Sequence, residues 1–306
     1  MHFASSRTAS AASAARPDRV PLPSVRLPVR RWVDLGQRLL AVALMVPAFL
    51  VIAWRGEWYF VLLVNAIALT ATFEFCRMLA AKGQRPHRAL ALGAAVVLPW
   101  LAYLRGGAFA EIGLVLLVLA ILTAQLFRRD DDDALVNIAT SILAVVYVSW
   151  LASFLVRLRE LPRIEGLPSV FGFHAVCFAL LVTWMADTGA YLIGSLLGRH
   201  KLAPHISPAK SIEGAMGGLV FAVVTGAIAA PWLLHGMASI TTGALLGALA
   251  AVFGLAGDLA ESRLKRDAHV KDTSSAIPGH GGALDRFDSV LFTTPLLYYV
   301  LRFLVW

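Results

Sequence analysis

Nine apolar stretches dominate this sequence, at about 37–54, 58–76, 89–104, 108–127, 135–156, 173–197, 214–234, 238–260 and 288–306. Each is long enough, or nearly so, to cross about 30 Å of hydrocarbon at about 1.5 Å per helical residue. Backbone polar groups in lipid must be satisfied inside the spanning structure, and nothing here alternates with period two, so helices rather than strands are expected. The expected fold class is all-α: a polytopic integral membrane protein with about nine transmembrane helices. The third stretch is short and holds Pro99, which makes it the weakest of the nine. With 58% hydrophobic residues and a mean hydropathy of +0.73, the chain lies outside the range of soluble domains.

The net charge of +8 is first a topology signal. Residues 1–36, rich in Ser, Ala, Pro and Arg, hold no apolar run that could span or serve as a signal-peptide core, and are expected to form a disordered basic cytoplasmic tail. Their Arg richness also fits an organellar transit peptide. With this tail inside, only Arg55, Arg105, Arg157, Arg159, Arg163 and Arg302 of the 27 Lys and Arg fall on the opposite side. The expected organisation is N-terminal transmembrane helices over 37–172, then a catalytic transmembrane region over 173–306 with cytoplasmic loops 198–213 and 261–287. A bacterial inner membrane is the expected location. The lipid bilayer is the required partner and nucleic acid is not expected. Cys76 and Cys177 match no ligand spacing and read as packing residues.

The polar stretch that follows the eighth apolar run carries the chemistry. "GLAGDLAESRLKR" continues a helix, so Asp258, Glu261, Ser262 and Lys265 share one face. A carboxylate at the depth of Asp258 is costly unless paired or bound to a cation, although a helix-end residue reaching for water or Lys265 also fits. "PGHGGALDRFD" sets Pro278, Gly279, Gly281 and Gly282 around His280, a composition that breaks helix and lets backbone amides approach an anion. Asp285 and Asp288, three apart, share a face if the ninth helix begins there. Carboxylates without thiols suit a hard cation such as Mg²⁺, one or two of them, completed by substrate phosphates. Lys265, Arg266, Lys271 and Arg286 could hold those phosphates. This is the equipment of a phosphoryl or nucleotidyl transferase, whereas read singly the same residues are a turn, a solvated loop and a helix cap.

Ser262, Leu264, Lys265, Arg266, Lys271, Asp272, Ser274, Ile277, Pro278, "HGG" at 280–282 and "DRFD" at 285–288 resemble, in type and spacing, the signature of phosphatidate cytidylyltransferases (CDP-diacylglycerol synthases). Ala283 departs from the larger aliphatic or Phe usual there, a packing change.

The other polar loop adds a second match. Asp187 is an intramembrane carboxylate in "TWMADTGAY", and "SPAKSIEG" brings Ser207, Lys210 and Glu213 to the cytoplasmic start of the seventh helix. Both resemble segments of the same family, with Ser211 and Ile212 where many members have Thr and Trp. The resemblance covers roughly 180–290.

It implies transfer of the cytidylyl group of CTP to phosphatidate, giving CDP-diacylglycerol and pyrophosphate. It implies catalytic roles for Asp258, Lys271, Asp272, His280, Asp285 and Arg286. Substrate contacts fall to Asp187, Ser207, Lys210, Glu213, Ser262, Lys265, Arg266, Gly281 and Gly282, and divalent-metal ligation to Asp258, Asp285 and Asp288. His280 is secondary, because a phosphate monoester is already largely ionised near pH 7, its second pKa being about 6. The sequence leaves open a CTP-dependent transferase or kinase for another lipid phosphate or polyprenol, an ion-coupled transporter using Asp187 and Asp258, a purely structural membrane subunit, and assembly as a homodimer.

Overall fold

The computed structural model describes residues 43–105, 107–128, 133–274 and 281–305. The expected basic tail, together with Pro278, Gly279 and His280, lies outside the described residues. In chain order the helices are α1 (Ala43–Arg55), α2 (Glu57–Ala81), α3 (Arg88–Arg105), α4 (Gly107–Leu126), α5 (Ala134–Leu143), α6 (Leu151–Glu165), α7 (Val170–Leu197), α8 (Ile212–Leu233), α9 (Ile240–Asp267) and α10 (Leu284–Val305). A π-helical segment, Ala144–Trp150, fuses α5 to α6, so that Ala134–Glu165 is one continuous rod. Six rods are long and apolar enough to cross a membrane among the described residues: α2, Ala108–Leu126, Ala134–Glu165, α7, α8 and α9. Ala43–Arg55 and Arg88–Leu104 are apolar but shorter.

The expected all-α class needs one correction. Lys201–Ala203 (β1) and Ser207–Ser211 (β2) pair as an antiparallel ribbon, with Lys201 opposite Ser211 and Ala203 opposite Ser207. The ribbon is secured by a tertiary contact. Glu213, at the start of α8, accepts from the N–H groups of Arg199 and His200 and from His200 Nδ1 at 2.6 Å. The Ser211 hydroxyl then caps α8 by accepting from Gly214 N–H at 3.1 Å.

Hydrogen bonds sort the loops into two ends. At one, the Arg85 N–H donates to Asn137 Oδ1 and the His87 N–H to Ser141 Oγ, both at 2.7 Å. Lys82 pairs with Asp267 there, and Arg266 Nε reaches the Ile206 carbonyl of the ribbon. At the other, Arg159 Nε donates to the Ala53 carbonyl, Arg302 pairs with Glu165, and His174 meets His235. The polar segments after α2, α7 and α9 therefore share one end.

Two local devices let the apolar helices pack. In α3, Pro99 has no N–H for the carbonyl four residues back, that of Ala95. Asn65 Nδ2 of α2 supplies the missing donor at 2.8 Å and reaches the Val96 carbonyl at 3.1 Å. A buried amide thus repairs the backbone where lipid offers no water. In the α7–α8–α9 layer, small residues bring backbones into contact: a Cβ on Gly226 would lie 2.2 Å from the Gly243 carbonyl oxygen, and one on Gly247 2.1 Å from that of Ala222. The outer faces of α4 and α8 expose Ile112, Val115, Leu116, Val220, Val224 and Ile228, as helices facing acyl chains do.

Replacing Asn65 by Leu orphans the Ala95 carbonyl and is expected to destabilise the protein by about 1–3 kcal/mol, read as a fall in Tm in detergent. The double variant Asn65→Leu/Pro99→Ala restores the helical donor and should recover most of that loss; no recovery would contradict the repair.

Candidate active site

α7, α8, α9, α10 and the β-ribbon enclose a cavity of about 610 Å³ at the end of the bundle where the ribbon lies. Its lining combines apolar side chains, among them Trp184, Ala190, Leu219, Ala251 and Leu255, with a dense set of charged ones. The charged set brings together Asp187, Lys210, Asp258, Lys265, Asp285, Arg286 and Asp288, all named from the sequence, and Glu261.

The geometry follows from where three elements begin and end. α9 continues as helix through Asp267, so Glu261 and Lys265 fall one turn apart on one face, and Lys265 Nζ lies 2.6 Å from Glu261 Oε2. α10 begins at Leu284, four residues before the expected start of the ninth apolar run, which places Asp285 in its first turn and Asp288 one turn deeper. Lys265 Nζ donates to Asp285 Oδ1 at 2.8 Å. The Lys265 side chain is 14% exposed, against 1% for Glu261 and 11% for Asp285, so the triad is withdrawn from water.

Asp285 Oδ2 accepts from the Thr273 N–H at 3.1 Å, the Thr273 hydroxyl at 2.9 Å and the Gly282 N–H at 2.8 Å. Asp258, on α9, pairs with Lys210 of β2 and takes a weak bond from the Ser262 hydroxyl at 3.4 Å. The sequence alternative of an Asp258–Lys265 pair is therefore not the one adopted. Asp288 is buried, accepts the Ser289 N–H at 2.6 Å, and has no Lys or Arg in ion-pair contact among the described residues. Glu261 stands beside both Asp285 and Asp288, with Asp258 close to Asp288.

That arrangement fits a divalent cation in chemistry. The donors are carboxylate oxygens without thiols, and a buried Asp288 among other carboxylates is a position that needs positive charge. No three acidic, His or Cys side chains converge at ligating distance among the described residues. A cation here would therefore need water and phosphate oxygens to complete its shell, as Mg²⁺ does.

Other expected positions take supporting places. Glu213 holds the ribbon, Ser262 touches Asp258, Arg266 bonds the ribbon's turn, and the Gly282 N–H serves Asp285. Gly281 adopts φ +78°, the left-handed region that favours glycine. Ser207 opens β2, and Lys271 and Asp272 are exposed; none of the three lines the cavity. His280 lies outside the described residues.

Three contributors fall outside the residues expected from the sequence. Glu261 shares a helix face with Asp258 and Lys265. Thr273 sits between Asp272 and Ser274, both of which match the family signature. Glu74, a buried carboxylate within the mostly apolar α2, carries the same signal as Asp187 and Asp258.

A family model described as the cytidylyltransferase family matches residues 36–304. The phosphatidate cytidylyltransferase of Synechocystis is 33% identical over 288 residues, covering 86% of this chain and 95% of that protein. That of Bacillus subtilis is 34% identical over 278 residues, covering 88% and 98%. That of Staphylococcus aureus is 33% identical over 273 residues, covering 86% and 98%. On the strength of a match spanning nearly all of its helices and the whole charged cavity, this chain belongs to the cytidylyltransferase family.

Proposed function

We propose that this protein transfers the cytidylyl group of CTP to phosphatidate, releasing pyrophosphate and leaving CDP-diacylglycerol in the membrane. The observation that carries the reading is one cavity whose lining joins a dense set of cations and carboxylates to apolar side chains. A water-soluble triphosphate and a lipid phosphate can meet only where cations and carboxylates border a surface that tolerates a glycerolipid. Nothing comparable favours a transporter or a kinase.

Lys210, Lys265 and Arg286 take phosphate oxygens of the two substrates, and the pairing of Lys265 with Glu261 and Asp285 fixes its ammonium before substrate arrives. An oxygen of the lipid phosphate attacks the α-phosphorus of CTP. The new P–O bond forms as the bond to the bridging α–β oxygen breaks, and that electron pair leaves on pyrophosphate. No strong base is needed, because the attacking monoester, with a second pKa of about 6, is already ionised near neutrality. Asp258, Asp285 and Asp288 would hold Mg²⁺, which supplies further neutralisation of phosphate charge. Positioning and charge compensation by fixed groups make up the rest of the catalysis.

We further read the chain as crossing a bacterial inner membrane nine times, with the Ala134–Glu165 rod counted as one crossing and the cavity on the cytoplasmic side. Support comes from the clustering of Lys and Arg at the cavity end. In a Cys76→Ser/Cys177→Ser background, His205→Cys should react with a membrane-impermeant maleimide only when the cytoplasmic face is open, and Ser169→Cys only from the other side. The reverse pattern would invert the topology.

Purified protein with phosphatidate, Mg²⁺ and CTP labelled at the α-phosphate should place label in lipid, whereas γ-label should leave as pyrophosphate. Asp258→Asn and Asp285→Asn should each lower turnover by roughly 10²–10³-fold. Recovery of γ-label in lipid would instead identify a kinase, and no label in lipid from either position would overturn cytidylyl transfer.

A further inference from the structure

The segment that holds the carboxylate of Asp285 is itself held by a residue from the far half of the sequence. Glu74, on α2, is 2% exposed and has no Lys or Arg paired with it among the described residues. Its Oε2 accepts the Leu284 N–H at 3.0 Å, at the first residue of α10, and the Thr273 hydroxyl at 3.3 Å. Its Oε1 accepts the Ser274 hydroxyl. One buried carboxylate therefore gathers both sides of the loop that precedes α10.

Thr273 stands between the two acids. Its hydroxyl lies 2.9 Å from Asp285 Oδ2 and 3.3 Å from Glu74 Oε2, while its N–H also donates to Asp285. A hydroxyl has a single proton, so it serves one carboxylate at a time and favours the nearer. Gly282 packs against this link so closely that a Cβ there would lie 2.2 Å from Thr273 Oγ1 and 2.5 Å from Glu74 Oε2. No side chain larger than hydrogen fits between clamp and loop.

We propose that Glu74 and Thr273 are positioning residues for Asp285. Glu74 fixes Thr273, Ser274 and the start of α10, and Thr273 fills Asp285 Oδ2, leaving Oδ1 directed at Lys265 and the cavity. Neither residue touches the reacting phosphates. The kinetic consequence rests on the cytidylyl-transfer reading; the clamp itself does not.

The test uses the full-length protein with Thr273→Val, Thr273→Ser and Glu74→Gln. Loss of a hydrogen bond to a charged group should lower kcat roughly 10–100-fold in Thr273→Val, with KM for CTP little changed. Thr273→Ser keeps the hydroxyl and should stay near wild type. Hydrogen exchange at the Thr273 and Gly282 amides should rise in Thr273→Val and in Glu74→Gln, with or without CTP. A purely structural contact would lower Tm and leave kcat intact, and that result, or unchanged amide exchange, overturns the proposal. Should Glu74→Gln not fold, the Thr273 pair decides. If wild-type protein forms no labelled lipid, the transfer reading fails, and the exchange measurement still decides the clamp.

Discussion

The arrangement of the charged end depends on Lys265 being buried between two carboxylates. Ions withdrawn from water lose several kcal/mol each unless geometry and further hydrogen bonds compensate. Lys265 forms an ion pair with Glu261 on its own helix at 2.6 Å and donates a hydrogen bond to Asp285 on the next at 2.8 Å. The pairing requires α9 to remain helical past the apolar run and α10 to begin early enough to carry Asp285. It also fixes the distance between the two helices at the mouth of the cavity. Lys210 makes a similar pair where the β-ribbon carries it to Asp258. Each cation that neutralises a carboxylate in this way is also a cation presented to a phosphate.

Such a cluster needs a rigid frame. α8 and α9 achieve it through direct backbone contact at Gly226, Gly243 and Gly247, which leaves little freedom for the two helices to separate. On the other flank, α2 packs beside α10 and supplies Glu74 to the loop before it. The N-terminal helices thus contribute more than membrane anchoring. α3 keeps its helical course past Pro99 because α2 offers Asn65 to the unpaired carbonyl.

Much of this was legible in the sequence because the hydrocarbon core imposes a length and a polarity on every crossing segment. The rods over 57–81, 107–126 and 170–197 match expected spans to within a few residues at most ends. The misplaced ends are physical in origin. α2 runs on past its apolar run because helix persists into the polar boundary and no breaker intervenes before Lys82, which pairs with Asp267; α9 continues through Arg266 as its sequence led one to expect. Glu261 was visible by helical spacing beside Asp258, and Lys265 by the same rule. The ribbon was not visible, since β1 has three residues and owes its place to Glu213, thirteen residues beyond His200. The Glu74 contacts were hidden for a similar reason. They close over about two hundred residues of sequence, and no local pattern records them.

The central claim is that the charged residues lining one cavity receive the triphosphate. A cryo-electron microscopy structure of the protein with CTP and Mg²⁺ tests it most directly. The account predicts triphosphate density against Lys210, Lys265 and Arg286, with an ion at the carboxylates of Asp258, Asp285 and Asp288. Nucleotide bound elsewhere on the chain, with the cavity retaining its lysine–carboxylate pairs unchanged, would contradict it.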